Sequence, residues 1–308
     1  MIIYTHPDCL LKENGSNHPE RKERIDSILE SVKQIKDIEI NFRKAPLVNM
    51  DIISLVHPKN HVENIFSNIP KNGLIGVEKE PYADTMLCPN SQKAILRSCG
   101  AGIAASDDLI KKNERIFCAI RPPGHHAESI KAMGFCFINN IAVTARYLQK
   151  KHKVNKLAII DFDVHHGNGT QEIFYKDETI VYASAHEFPL FPGTGSEDET
   201  GVGNIFNATL KAGIKGKEFI KIFEQKILNP INKFKPEIIL ISAGFDAHYR
   251  DPLANINLES EDFYEITKKI VELANIHCNG RIISFLEGGY DLLALSESIK
   301  EHLRALKN

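Results

Sequence analysis

The sequence predicts an α/β fold built on a central parallel sheet with helices on both faces. Two observations carry this. Short β-branched apolar runs bounded by turn residues alternate along the chain with longer segments of helical spacing. No linker, low-complexity tract or internal repeat interrupts the alternation, so residues 1–308 are expected to form one domain.

The runs Ile116–Ile120, Leu157–Phe162, Thr179–Ser184, Glu237–Ala243 and Arg281–Leu286 read as buried strands. Between them, Ile138, Ile141, Ala142, Ala145 and Leu148 fall on one helical face, as do Phe219, Ile222, Phe223 and Ile227. A third face is formed by Phe263, Ile266, Ile270, Leu273 and Ala274. It is preceded by Glu259, Glu261 and Asp262, acids suited to the positive end of a helix dipole.

Composition excludes several classes. With 38 Lys+Arg against 40 Asp+Glu, the chain lacks the basic excess that gripping phosphate backbones requires, and no direct nucleic-acid binding is expected. A hydrophobic fraction of 43% excludes a charge-rich disordered chain. The six cysteines form no Cys-x-x-Cys pair, which favours a reduced, intracellular protein in which most are small buried hydrophobes. The N-terminus has no secretory pattern and no apolar run is long enough to span a bilayer, so a cytoplasmic protein without membrane contact is expected.

Each predicted strand runs directly into reactive polar residues. Ile116–Ile120 leads to Arg121-Pro-Pro-Gly-His125-His126, Leu157–Phe162 to Asp163-Val-His165-His166-Gly-Asn168, and Thr179–Ser184 to Ala185-His186. Glu237–Ala243 leads to Gly244-Phe-Asp246-Ala-His248, and Arg281–Leu286 to Glu287-Gly-Gly-Tyr290. In a parallel sheet these ends share one edge, where ligands bind. Six of the 13 histidines lie at 125, 126, 165, 166, 186 and 248, on this expected rim.

Asp161-x-Asp163-x-His165 places alternate side chains on one side of an extended segment. Carboxylate plus imidazole suits zinc or a similar divalent ion, and Asp246 is the natural third donor, leaving a position open for water and substrate. Taken alone, Asp161-x-Asp163 reads equally well as turn residues bonded to backbone amides; His165 and Asp246 tip the balance toward a metal. Facing such an ion, one of His125 and His126 would serve as general base and the other would hold positive charge, with Asp161 and Asn168 orienting their far nitrogens. Tyr290, on the flexible Gly288-Gly289, would donate to a developing oxyanion. Phosphate-binding, dinucleotide and nucleophile-elbow motifs are absent.

Taken together, RPPGHHA (121–127), GFCFINNIAV (134–143), DFDVHHGNGTQ (161–171), FPGTG (191–195), SAGFDAH (242–248) and LEGGY (286–290) resemble the zinc-dependent histone deacetylase family, from about residue 17 to the C-terminus. That family includes bacterial deacetylase-like amidohydrolases and acetylpolyamine amidohydrolases. The resemblance implies an arginase-like fold and hydrolysis of an N-acyl amine by metal-activated water. It implies one catalytic Zn2+ on Asp163, His165 and Asp246, His126 as general base and acid, His125 as its electrostatic partner backed by Asp161, and Tyr290 as the transition-state phenol. Phe135 and Phe191 match the walls that sandwich an acyl-lysine side chain, Gly134 the tunnel floor and Asp84 a polar rim residue. Asp161, with backbone oxygens of its loop and Ser184, matches a structural K+ site.

Two positions refine this. Asn168 stands where class I members have Asp, in the class II wording, which weakens any charge relay behind His126 because an amide stabilises an imidazolium less than a carboxylate does. Leu253 stands where polyamine-specific members have a glutamate gatekeeper, favouring acyl-lysine in a peptide or protein over an acetylpolyamine. The rivals are an acetylpolyamine amidohydrolase, a two-metal ureohydrolase and a catalytically inactive acyl-lysine-binding scaffold. A second metal is disfavoured because His248 occupies the position where another carboxylate would be needed. His166, His186 and His248 are expected to build loops, and the oligomeric state is left open.

Overall fold

The structure is a computed structural model and describes residues 1–78 and 83–308. Its strands are β1 (Ile2–Thr5), β2 (Asn41–Lys44), β3 (Ile75–Gly76), β4 (Met86–Leu87), β5 (Ile116–Cys118), β6 (Leu157–Asp161), β7 (Ile180–Glu187), β8 (Ile205–Leu210), β9 (Ile238–Ala243) and β10 (Ile282–Leu286). Eight of them form one sheet in the order β2-β1-β5-β10-β9-β6-β7-β8, parallel at every pairing, while β3 and β4 make a small antiparallel ladder. Parallel pairing sends all the carboxyl ends to one edge. Register then aligns them: Asp161 lies beside Ser184 on one side and Ser242 on the other, and Leu286 beside Ala243.

Alternation along the strands builds two apolar layers. Ala158 and Ile160 of β6 face the helices Glu23–Lys33, Ser260–His277 and Leu292–Lys307, packing with Ile28, Phe263 and Leu303. Leu157 and Ile159 face the opposite layer, where Ala101 and Leu109 of helix Ser91–Lys112 meet Ile141 and Leu148 of helix Asn140–His152. With both faces covered, the central strands are buried throughout and mostly apolar, which is why they were readable as strands.

The predicted elements are present with altered ends. β5 stops at Cys118, two residues early. β7 runs on through His186 and Glu187 because β8 pairs with it that far, so His186 lies inside a strand instead of following one. Ile138 precedes its helix, which starts at Asn140 where the Asn139 side chain accepts the Ala142 N–H. The helix expected around Phe219–Ile227 is Gly216–Ile222 continuing into a π-helical turn, Phe223–Leu228. Glu259 and Asp262 do more than meet a dipole: they form a reciprocal capping box at the start of Ser260–His277. All six cysteines are buried and unbridged, and among the described residues no helix is long and apolar enough to cross a membrane.

Candidate active site

The loops leaving β6, β9 and β10 meet at a buried carboxylate cluster. One donor atom each from Asp163, His165 and Asp246 lies within 4.8 Å of the others, and all three residues are buried. His165 Nδ1 is 3.3 Å from Asp163 Oδ1 and 3.1 Å from Asp246 Oδ2. Backbone amides fix the carboxylates: Gly288 N–H donates to Asp163 Oδ2 at 2.7 Å and Val164 N–H to Asp246 Oδ1 at 2.9 Å. Burial opposes a charged His165, yet the carboxylates of Asp163 and Asp246, accepting its hydrogen bonds, lift its pKa to about 10, so the cluster favours positive charge at this point. Two hard oxygens and one imidazole nitrogen, convergent and buried, are a donor set that fits zinc. Gly288 also has a steric role beside the flexibility expected of it. A Cβ there would sit 2.0 Å from Asp246 Oδ2 and 2.6 Å from Asp163 Oδ2, so the glycine lets the β10 loop close over the cluster.

His125 and His126 leave β5 on a loop stiffened by Pro122 and Pro123. The Gly124 and His125 N–H groups both donate to Glu287 Oε2, at 2.7 and 3.2 Å, which binds this loop to β10. His125 Nδ1 donates to Asp161 Oδ2 at 3.1 Å, where the Tyr182 hydroxyl also donates. Burial opposes its charge, but the carboxylates of Asp163, Asp161 and Glu287 raise its pKa to about 10. His126, 4.0 Å away ring to ring, is the reverse case. Burial and the positive charge favoured at His125 and at the His165 position push its pKa well below the ordinary value, while Nδ1 pairs with Asn168 Oδ1 at 2.9 Å. The surroundings thus push two adjacent imidazoles in opposite directions, the division of labour that acid–base catalysis needs.

A cavity of about 400 Å³ opens onto this cluster. His126, His165 and Tyr290 line its buried end, and Phe135, Phe191 (43% exposed) and Leu253 (36% exposed) its outer part. Gly134 and Asp84 face the same space, so every substrate-contacting residue inferred from sequence reaches it. The Asp84 carboxyl is raised to about 6, by burial and by the nearby Glu78. Tyr290 is set by its backbone, whose N–H donates to Asp251 Oδ2 at 2.7 Å, and its ring packs between Phe135 and the Arg24 guanidinium.

Three histidines of the cluster stay outside the cavity wall. His166 pairs with Thr194 and Gln171, His186 with Ser184 and Gly195, and His248 with Ser260. Sequence reading missed the supports. Glu287 was visible as a strand-end acid without a role, and Asp251 carried no periodic or motif signal.

Comparison with known proteins agrees with this geometry. Residues 18–306 match the histone deacetylase domain. The chain is 37% identical to "Histone deacetylase 10, chloroplastic" of Oryza sativa subsp. japonica, over 95% of this chain and 70% of that one. It is 33% identical to a "Probable deacetylase" of Archaeoglobus fulgidus, over 94% and 81% respectively. The crystal structure of the HDA15 HD domain superposes with a TM-score of 0.91 at 30% identity, covering 99% of this chain and 87% of that one. With the domain match spanning nearly its whole length, the chain belongs to the histone deacetylase family of zinc-dependent hydrolases.

Proposed function

We propose that the protein hydrolyses N-acyl groups, acetyl first among them, from lysine side chains of peptides or proteins. The observation that carries this is a single cavity whose outer part is apolar and whose buried end presents His126, His165 and Tyr290 together. Such a shape accepts a neutral alkyl chain and delivers its terminal amide to the polar end.

Asp163, His165 and Asp246 would hold the zinc ion, which when bound supplies Lewis acidity toward the acyl oxygen and makes water more acidic. His126, neutral at rest, accepts the proton of the attacking water and returns it to the departing amine nitrogen. His125, held charged by Asp161, stabilises the negative charge that develops alongside. The Tyr290 hydroxyl, kept protonated by burial, donates to the oxyanion. All these groups are present, which supports hydrolysis over a scaffold role. By the same reading a structural K+ is assigned to Asp161, backbone oxygens of its loop and Ser184, its register partner on β7.

The Asp84 carboxylate on the cavity favours a second reading, an acetylpolyamine amidohydrolase, because it would attract a cationic chain. Leu253 at the outer wall favours acyl-lysine. The deciding assay compares acetyl-lysine peptides, longer acyl-lysines and N-acetylputrescine on zinc-loaded protein, with Tyr290→Phe as control. Turnover of the peptides, lost by about 10²–10³-fold in Tyr290→Phe, is expected. Turnover of N-acetylputrescine alone would establish the second reading, and inertness of zinc-loaded wild type toward all three would refute both.

A further inference from the structure

We propose that Glu128 is a positioning residue that selects the tautomer of His126 through the side-chain amide of Asn168. This rests on the reading of His126 as the proton-transfer group. Asn168 stands between two partners: its Oδ1 is 2.9 Å from His126 Nδ1 and its Nδ2 is 2.8 Å from Glu128 Oε1. An ionised carboxylate only accepts hydrogen bonds, so it must meet the amide NH2. The amide oxygen is thereby turned toward the imidazole, and since that oxygen also only accepts, Nδ1 must carry the hydrogen. The lone pair is left on Nε2, the nitrogen that remains for the reacting atoms. Met133 Sδ, 3.4 Å from Nδ2, is too weak an acceptor to hold the amide in this sense alone.

A second observation supports the arrangement. The Ser129 N–H and hydroxyl both donate to the Glu172 carboxylate at 2.9 Å, and Glu172 lies on the helix Asn168–Phe174 that begins with the relay's own amide. The backbone on either side of the Glu128–Asn168 contact is therefore locked together. The negative charge missing at position 168 stands one hydrogen bond farther out and acts as a direction-setter.

The test uses zinc-loaded protein with 15N-labelled histidine, reading the His126 tautomer by NMR and kcat and KM on an acetyl-lysine peptide. Wild type is expected to show the Nδ1–H form alone. Glu128→Gln is nearly isosteric but both donates and accepts, so it should give mixed tautomers and a kcat lower by about 10-fold or more, with KM within about twofold. Glu128→Ala should behave likewise. Adding Asn168→Asp to Glu128→Gln exchanges amide and carboxylate, restores an accept-only group against Nδ1, and should recover the single tautomer and most of kcat. A Glu128→Gln protein with one tautomer and kcat within about twofold of wild type would overturn the proposal, as would a loss of melting temperature with the tautomer unmoved. If wild type turns over no substrate while Glu128→Gln still mixes the tautomers, the positioning claim holds and the deacylase reading fails.

Discussion

Gly134→Ala tests how tightly the base is seated. Gly134 has φ of +55°, and a Cβ built on it would lie 2.6 Å from His126 Cδ2 and 2.9 Å from Cγ. Ordinary contact begins near 3.4 Å, so the ring must yield by about 0.8 Å. It has little room to do so: Nδ1 is held by Asn168, His125 lies 4.0 Å away ring to ring, and Phe191 packs edge-on at 5.1 Å. Displacing a catalytic group by about 1 Å costs roughly 10²-fold. A kcat lower by about 10–100-fold is therefore expected, equivalent to about 1.4–2.7 kcal/mol of barrier, with KM nearly unchanged. Left-handed backbone costs a non-glycine residue about 1–2 kcal/mol, so urea unfolding should show a loss of that size in a protein that still folds. Steady-state kinetics on an acetyl-lysine peptide, with zinc content measured in parallel, is the assay. A variant that keeps its zinc and turns over within twofold of wild type would show that His126 is not confined as argued.

Other expectations follow from the same geometry. Chelation should abolish activity, and one equivalent of Zn2+ should restore it to wild type but not to Asp246→Asn; restoration needing two equivalents would contradict a single three-donor site. Asp251→Ala removes the acceptor for the Tyr290 and Leu253 N–H groups, at 2.7 and 3.0 Å. It should cost about 1–3 kcal/mol of stability and lower kcat about 10-fold, measured by urea titration and kinetics; unchanged kcat would mean that Tyr290 is held by its ring packing alone. Burial lowers the pKa of His302 to about 3, between the hydroxyls of Thr267 and Ser284, and of His57 to about 4. Below about pH 6.5 the unfolded chain takes up protons that the folded chain refuses, so stability present at neutral pH falls with acidification. His302 alone should account for about 2 kcal/mol between pH 7 and pH 5, and His302→Gln should flatten the dependence by one proton; an unaltered slope in that variant would locate the acid sensitivity elsewhere.

Legibility from sequence followed burial for most strands, though the buried β1 went unread. β5, β6, β9 and β10 are apolar on both faces and declared themselves, whereas β2 is a polar edge strand and β8 interleaves polar residues, so neither stood out. Asp163, His165 and Asp246 were recoverable because parallel strands deliver their ends to one edge. Their supports were not, because each acts across the chain. Glu287 holds the backbone of Gly124 and His125, and Asp251 holds Tyr290, contacts made only once the sheet has brought remote loops together. Gly288 shows the same limit. A glycine pair reads as mobility, and sequence alone does not reveal the two carboxylates lying where a side chain at Gly288 would be.

The division of the cavity decides where specificity must lie. At its buried end the ionisable groups are already engaged with one another, His125 with Asp161 and His165 with Asp163 and Asp246. Nothing there distinguishes an acylated lysine from an acylated polyamine, since both present the same secondary amide. The two substrates diverge only where the alkyl chain leaves, beside Phe191, Leu253 and Asp84. A carboxylate at Asp84 accepts from a peptide amide and would also draw an ammonium by charge, so it admits both and leans toward the polyamine. On the proposed reading Leu253 weighs the other way, because an apolar wall would offer a bare ammonium no return for its lost hydration. Discrimination should therefore appear when the substrate binds, as a difference in KM, with kcat of similar size for any chain that reaches the end.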